Sequence, residues 1–413
     1  MTTRSNAASL SYTQLLRNNR PYRKLWLSQV VSNAGDWFNT IAVLGLTLEL
    51  TQSGLALSIA MLCQMLPAFF VAPIAGVIAE RYDRKRVMIV ADLLRSAVAL
   101  GFLLVDTPDE VWLIYLFMAC LSALGPFFDV TRTAALPSIV RGPELLAANA
   151  LSSATWGIML TIGSAIGGLV ADQFGRSTAF ELNALSFIVS ALIVARIALP
   201  KASGAGQPVR FFSDILEGLR YIRMDQPTRV FLPGKAVWGL AGGAAVMLYA
   251  VFGGQIYRAG DTGIAILYTA RGLGTIIGTL GMKLFSSSRL PQLRWGILIG
   301  LIGYGFWFII FSFAPSLWLA AICIMLSTCG SMVTWVFSSL GLQLVVKEDF
   351  RGRVFAADTG LFTLAFALST LSTGLLLDTI DPRVVAFIAG VVGLISAGVW
   401  FYFVRRIPLP ADT

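Results

Sequence analysis

A stripe of polar side chains runs along one face of the first apolar segment of the sequence. Gln29, Asn33, Asp36 and Thr40 follow one another at intervals of three or four residues, which places them on the same side of a helix. Trp37 lies beside the acid. An ionisable group in an apolar helix usually faces a cavity or a partner. We therefore predict that Asp36 borders a water-filled cavity and carries a proton; the alternative is a structural hydrogen bond.

Two basic residues fall inside apolar segments of the second half of the chain. Arg271 lies near the middle of one segment, next to Gly272 and Gly274, where a guanidinium is suited to bind an anionic substrate or a buried carboxylate. Lys235 lies about 9 Å into another segment by helical rise, so it either extends to the membrane surface or serves the substrate. Trp238, one turn further on, is predicted to form part of an amphipathic substrate wall.

Other kinds of site chemistry find little support in the residues. The sequence contains no histidine, which excludes histidine-based metal sites and catalytic dyads. Its four cysteines lie in apolar stretches and lack the spacing of metal ligands. A membrane-embedded enzyme would need a nucleophile and base for which no pattern is present. We expect no metal, no cofactor and no enzymatic activity.

The composition indicates a protein that is solvated by lipid. Apolar residues make up 56% of the 413 residues, and charged residues only 13%, against about 25% in soluble domains. The mean hydropathy is +0.76. Such a chain cannot cover a water-exposed surface with polar groups, which excludes a soluble enzyme. The net charge of +9 is therefore attributed to membrane topology, and no nucleic-acid partner is expected.

Twelve segments are long and apolar enough to span a bilayer, which takes about 20 residues each. This predicts an all-α integral membrane protein with two pseudo-symmetric halves of six transmembrane helices. The expected spans are 25–50, 54–79, 87–105, 110–130, 147–171, 179–199, 230–252, 262–285, 295–314, 317–343, 354–377 and 384–404.

The distribution of basic residues predicts the orientation of these spans. With both termini in the cytoplasm, the six outer loops hold only Arg176, Arg258 and Arg383, and most of the 31 Lys and Arg lie on the inner side. Basic residues are concentrated on cytoplasmic loops of membrane proteins. We expect a multi-pass protein of the bacterial inner membrane.

The domain boundaries follow from the longest polar stretch. Residues 200–229 contain a Ser-Gly-Ala-Gly run, and then Phe211, Ile215, Leu219 and Ile222 at helical spacing, which predicts a linker with an amphipathic surface helix. The expected divisions are a cytoplasmic tail (1–24), a first half (25–199), this linker (200–229), a second half (230–404) and a cytoplasmic tail (405–413).

The two halves resemble distant repeats. The stretch from Leu136 to Asn149 has a counterpart in Val345 to Asp358, and each runs from an apolar helix end through a charged turn. Six-plus-six repeats are typical of transporters that hold substrate between the halves.

The loop after the second span carries the clearest motif. Residues 76–86 read GVIAERYDRKR, which resembles the G-x-x-x-D-R-x-G-R-K/R signature of the major facilitator superfamily. Glu80 stands in place of the signature's acid, and Asp83 in place of its second glycine. The resemblance implies a conformational gate in which charge-assisted hydrogen bonds form in one state and break in another. Its predicted members are Gly76, Glu80, Arg81, Arg84, Asp129 and Asp358.

Further segments resemble the superfamily branch of macrolide-efflux and enterobactin-exporter proteins, among them residues 145–151 and 351–354. Two elements depart from the antiporters of the superfamily, because Ser164 replaces a proline in the fifth span and the arginine of the fourth span is absent. In the superfamily fold the third and sixth spans are peripheral. The resemblance therefore implies structural roles for Asp92, Arg95 and Glu181, and the first two can pair at a spacing of three residues.

These observations predict a secondary transporter that works by alternating access. Its expected task is proton-coupled export of an amphipathic small molecule such as a drug or siderophore, by a monomer in contact with membrane lipids. Sodium is an alternative driver, because Asp36, Asn33 and Gln29 offer it oxygen ligands. Alternative functions are uptake or export of an organic anion or siderophore, lysophospholipid translocation, and a non-transporting membrane receptor.

Overall fold

This computed structural model describes residues 12–140, 143–199, 220–281, 289–347 and 350–409. These residues contain twelve long helices, joined by short helices and connections, and no strand. The helices are α1 (Arg20–Thr51), α2 (Gly54–Arg81), α3 (Arg84–Gly101), α4 (Val111–Ile139), α5 (Pro143–Phe174), α6 (Arg176–Ala195), α7 (Pro233–Val251), α8 (Gly260–Gly281), α9 (Leu290–Ser312), α10 (Leu317–Val345), α11 (Arg351–Leu377) and α12 (Pro382–Val404). The predicted all-α membrane fold is confirmed.

Eleven helices, α2 to α12, are long and apolar enough to cross a membrane in the described part of the chain. The first helix, α1, has 32 residues and is more than long enough. Its polar stripe lowers its mean hydropathy, so its composition alone does not identify it as a membrane span.

Several helix ends differ from the prediction. Helix α4 continues nine residues beyond the predicted end at 130, because neither Asp129 nor Pro137 interrupts it. Helix α5 begins at Pro143 rather than at 147, since proline is well tolerated in a first helical turn. Helix α7 is extended by one π-helical turn over Phe252–Ile256.

One compact unit comprises the described residues of Met1–Val43 and Cys63–Pro208. In this unit α3 packs against α4 and α6. Helix α1 also approaches α6 closely at Gly35, where a Cβ atom would collide with the Oγ atom of Ser186. The glycine therefore lets the polar stripe of α1 lie directly against its neighbours.

The second unit comprises the described residues of Leu44–Leu62 and Val209–Thr413. Within it α7 packs on α11 and α12, α9 packs on α10 and α12, and α8 packs on α10. The end of α1 and the beginning of α2 belong to this unit. Gly54 of α2 lies so close to Gly374 of α11 that a Cβ atom on Gly54 would be 2.8 Å from the Gly374 carbonyl oxygen.

The predicted amphipathic helix begins outside the described residues, which resume at 220. The proposed division into tails, halves and linker stays a prediction.

Candidate functional site

Asp36 forms an ion pair with Arg95 of α3. The Nη2 atom of Arg95 donates to both carboxylate oxygens of Asp36, at 3.0 Å to Oδ1 and 2.8 Å to Oδ2. The Asp36 side chain is 39% exposed, whereas that of Arg95 is only 7% exposed. The predicted proton carrier is therefore a partly accessible acid held by a buried base. Arg95, which the sequence indicated to be structural, belongs to the same site.

Asp92 is the third member of this cluster. The Nη1 atom of Arg95 lies 3.4 Å from Oδ1 of Asp92, one helical turn away, which confirms the predicted pairing at a spacing of three. The Asp92 side chain is fully buried. The Arg95 guanidinium also lies 4.0 Å from the centre of the Phe187 ring of α6, a cation–π contact. We refer to Asp36, Asp92 and Arg95 as the Arg95 triad. It contains two acids and one base.

The remaining stripe residues occupy different surroundings. Gln29 is buried and donates to the Ser152 carbonyl oxygen at 3.3 Å. The hydroxyl of Thr40 donates to the Asp36 carbonyl oxygen at 2.8 Å and accepts from Nε2 of Gln64 at 3.0 Å. Asn33 is half-buried. Trp37 is also half-buried, and its ring packs edge-on against Trp156 with centres 6.2 Å apart.

Lys235 and Asp358 form a second ion pair, between α7 and α11. The Lys235 Nζ atom lies 2.5 Å from Oδ2 of Asp358, and the two side chains are only 8% and 1% exposed. Of the two alternatives for Lys235, extension to the membrane surface does not describe this conformation, because its ammonium is held by a buried acid; a role toward the substrate stays a prediction. Asp358, a predicted member of the gate, is the acid of this pair, and its role in a gate stays a prediction. The Lys235 ammonium also lies 4.8 Å from the centre of the Trp335 ring.

Trp238 lies at the centre of an aromatic cluster beside this ion pair. Its ring stacks on Phe362 with centres 5.8 Å apart, and Trp335 and Phe366 lie at 6.1 and 6.2 Å. The indole Nε1 atom is buried without a hydrogen-bond partner in the described part of the chain. The cluster offers a large apolar surface and one free donor, as expected for a wall that contacts amphipathic molecules.

Arg271 differs from Arg95 and Lys235 in its surroundings. No acid in the described chain lies within ion-pair distance of its guanidinium, which lies 5.9 Å from the Tyr268 ring centre. The Arg271 side chain is half-buried. Three buried tyrosines have their hydroxyl groups near it, Tyr249, Tyr268 and Tyr304. The Tyr268 and Tyr304 hydroxyls are already bound to backbone carbonyls. Within the described residues, Arg271 is therefore a cation without an ion-pair partner inside an apolar helix.

The predicted gate is not assembled in this conformation. In the described residues no ion pair connects Glu80, Arg84 and Asp129, and Arg84 donates instead to the Ala79 carbonyl oxygen at 3.3 Å. Glu80 and Arg81 are exposed. Asp129 lies 3.9 Å from Arg132. A Cβ atom on Gly76 would meet nothing within 4 Å, so close packing does not require this glycine.

Asp83 has a structural role that explains one departure from the motif. Its carboxylate accepts a hydrogen bond from the Arg86 amide at 3.1 Å and caps the first turn of α3. A glycine at this position would provide no side-chain cap.

Asp378, an acid of the second unit, has a structural role that the sequence pattern did not indicate. Asp378 follows α11, and its Oδ1 atom accepts from the Gly54 amide at 2.6 Å, while the Ser53 hydroxyl donates at 3.2 Å. It therefore caps the beginning of α2 from another helix. The sequence contains no spacing signal for this contact, because the two residues are 324 positions apart.

The sequence was compared with those of known protein families. The profile of a family described as "Transmembrane secretion effector" (MFS_3) matches residues 13–412. The chain belongs to this family. It is a multi-pass transporter of the major facilitator superfamily, as the loop motif implied, and its family and fold are those of transporters rather than enzymes.

Its relatives and structural neighbours are similar over nearly the whole chain. The transporter is 26% identical to an uncharacterized MFS-type transporter, YfiS, of Bacillus subtilis, over 92% of this chain and 94% of the relative. It is 22% identical to macrolide efflux protein A of Streptococcus pyogenes, over 86% and 89%. A bacterial homologue of the lysosomal transporter Spinster, in an inward-facing and unoccupied conformation, has the same fold, with a TM-score of 0.73, 13% identity and coverage of 95% and 98%.

Proposed function

We propose that this transporter exports an amphipathic small molecule in exchange for protons, by alternating access. The family places it among transporters, and one similar protein is named for macrolide efflux. The observation that carries the proposal is the Asp36–Arg95 pair. A partly exposed carboxylate can exchange protons with water, and a buried guanidinium can hold its ionised form.

The pair provides a means of coupling. Protonation of Asp36 removes the negative charge that Arg95 binds and thereby breaks the two charge-assisted hydrogen bonds. Because α1 and α3 each supply one partner, the contact between the two helices then weakens. A proton can in this way bias the transporter toward a second conformation. The aromatic cluster around Trp238 would contact the apolar part of the substrate.

The membrane setting belongs to the same proposal. The concentration of basic residues on one side favours the inner membrane with both termini in the cytoplasm. A chain of twelve helices in two halves is sufficient for transport as a monomer surrounded by lipid. The predicted linker, residues 200–229, would join the two halves.

The first prediction concerns Asp36→Asn. In proteoliposomes with an imposed proton gradient, addition of a macrolide to the wild-type protein should change the lumenal pH. We expect the macrolide-dependent proton flux of Asp36→Asn to fall to less than about a tenth of the wild-type value. Asparagine does not titrate, so protonation can no longer break a charge-assisted contact worth about 2 kcal/mol or more. Lumenal pH is followed with an entrapped dye.

Glu181→Gln is the matched control, because Glu181 is an exposed acid of α6 outside the triad. Its flux should equal that of the wild type. Full flux in Asp36→Asn would contradict the proposed coupling. Replacement of sodium in the buffers tests the other driver: a flux that requires sodium and ignores the proton gradient would favour that ion. Macrolide binding without movement would favour a receptor.

A second candidate function is transport of an organic anion, which Arg271 favours because no acid of the described residues pairs with it. We expect Arg271→Gln to weaken binding of a catecholate siderophore at least tenfold, which corresponds to about 1.4 kcal/mol, because one charge-assisted contact is lost. Binding is measured by calorimetry on the purified protein. Binding of a neutral macrolide should change little.

Arg258→Gln serves as the control for this prediction, since Arg258 is an exposed base in the connection between α7 and α8. Equal siderophore affinity in Arg271→Gln and wild type would assign Arg271 to another role. Lysophospholipid, tested in the same assay, would point to lipid translocation if it alone bound through Arg271.

A further inference from the structure

The charge of the Arg95 triad does not balance. Asp36, Asp92 and Arg95 together carry one negative charge too many if both acids are ionised, and two of the three side chains are at least 93% buried. A net charge in a low-dielectric interior is strongly unfavourable, and the usual remedy is that the group binds or releases a proton. One proton shared by the two acids makes the triad neutral.

The contacts show which acid holds this proton. Both oxygens of Asp36 accept from Arg95 at 3.0 Å or less, which stabilises an ionised carboxylate. Asp92 receives only one longer contact, at 3.4 Å to Oδ1. Its Oδ2 atom is buried and has no hydrogen-bond partner in the described residues. An ionised carboxylate would leave that oxygen unsatisfied at considerable cost.

The surroundings of Asp92 favour the same assignment. Among the described residues, the charged groups that act on Asp92 are Arg95 of its own helix, Asp36 of α1 and Asp129 of α4. Two of these three are acids, and the single base, Arg95, is shared with Asp36, to which it makes the shorter contacts. Helix α6 contributes the buried hydroxyl of Ser190, which lies close enough to Asp92 to interact with it. A protonated Asp92 can donate a hydrogen bond toward this hydroxyl.

We propose that Asp92 carries the transporter's proton in this conformation, and that Arg95 exchanges between the two acids during the cycle. This inference rests on the proposed proton coupling and adds a second proton-binding residue to it. In the conformation described, Asp36 is ionised and bound to Arg95, and Asp92 is neutral. In the alternative conformation, Asp36 is neutral and Arg95 binds an ionised Asp92.

The exchange balances in protons and charge. Asp36, the accessible acid, takes one proton from water and releases Arg95. The guanidinium then completes its contact with Asp92, which lies on the same helix one turn away, and Asp92 gives up one proton as its carboxylate becomes the ion-pair partner. One proton enters and one leaves, and the triad is neutral in both states. The two acids that compete for one base thus form a switch with two arrangements.

Infrared difference spectroscopy tests this inference directly on the purified full-length protein at neutral pH. A protonated carboxyl group has a carbonyl stretch that shifts in D2O and is distinct from carboxylate and amide bands. We expect the wild type to show this band and Asp92→Asn to lose the equivalent of one carboxyl group. Asp36→Asn should also lose it, because Arg95 then binds Asp92 alone and ionises it.

The matched control is Asp358→Asn. Asp358 is another buried acid, but Lys235 balances its charge one to one, so this variant should keep the band. A wild type without the band, or a band that persists in Asp92→Asn, would overturn the inference. The Asp36→Asn arm leaves residue 92 intact and decides the matter if Asp92→Asn fails to fold.

The spectroscopic result is independent of the transport result. Absence of macrolide-driven proton flux in the wild type would contradict the proposed function while leaving the infrared band in place. If coupling exists and Asp92 carries the proton, flux in Asp92→Asn should fall to less than a tenth while macrolide binding persists. Normal flux in Asp92→Asn would show that coupling does not use this acid.

Discussion

Replacement of Lys235 by methionine is expected to destabilise the transporter by about 3–5 kcal/mol, the usual cost of leaving a buried charge without its partner. Methionine has a similar length and can fill the same space, so the loss of the charge dominates. The Asp358 side chain is only 1% exposed, so its charge is poorly solvated once Lys235 is replaced. The thermal midpoint of the purified protein, measured at fixed detergent concentration, should fall clearly below that of the wild type.

A double variant separates the ion pair from packing. Lys235→Met combined with Asp358→Asn removes both charges, and we expect it to recover most of the lost stability, because neutral replacements of a buried pair are often tolerated. Lys347→Met, at an exposed lysine, is the matched control and should behave as the wild type. If the double variant is as unstable as Lys235→Met, the charge of Asp358 is not the cause.

Replacement of Arg95 by glutamine is expected to abolish coupling and also to reduce stability. The change removes two short hydrogen bonds to Asp36, one contact with Asp92 and a cation–π contact with Phe187. Hydrogen bonds to charged groups contribute about 1.5–3 kcal/mol each, but Asp36 is partly exposed and can protonate. We therefore expect a stability loss of about 2 kcal/mol and a proton flux below a tenth of the wild-type value.

The control for this change is Arg86→Gln, which alters an exposed arginine of the same helix. Combination of Arg95→Gln with Asp36→Asn should restore part of the thermal midpoint, because the ionised acid that Arg95 binds is then replaced by a neutral side chain. It should not restore the flux. Normal flux in Arg95→Gln would rule out any role of the triad in coupling, whatever its stability.

Much of the fold could be predicted from the sequence, because long apolar segments leave few alternatives to transmembrane helices. Helix ends were less predictable. Asp129 and Pro137 resemble signals that end a helix, yet α4 runs past both to Ile139. A helix in an apolar environment has no water to satisfy freed backbone groups, which favours its continuation.

The candidate site was predictable only in part. Asp36 was found from its stripe, and Asp92 with Arg95 from a spacing that any helix converts into a contact. The contact between Arg95 and Asp36 could not be found in this way, because it joins residues 59 positions apart on different helices. The same limit applies to Lys235 and Asp358, 123 positions apart, and to the cap that Asp378 provides for α2.

The polar stripe of α1 also affects how the chain enters the membrane. This helix precedes its partner helix α3 in the sequence, and it is the one long helix of the described chain whose composition is insufficient for a span. Each ionised or amide side chain near its centre opposes transfer from the insertion channel into lipid. Arg95 of α3, which balances Asp36, is synthesised 59 residues later. We therefore expect stable insertion of α1 to depend on α3, which is not yet synthesised when α1 leaves the ribosome.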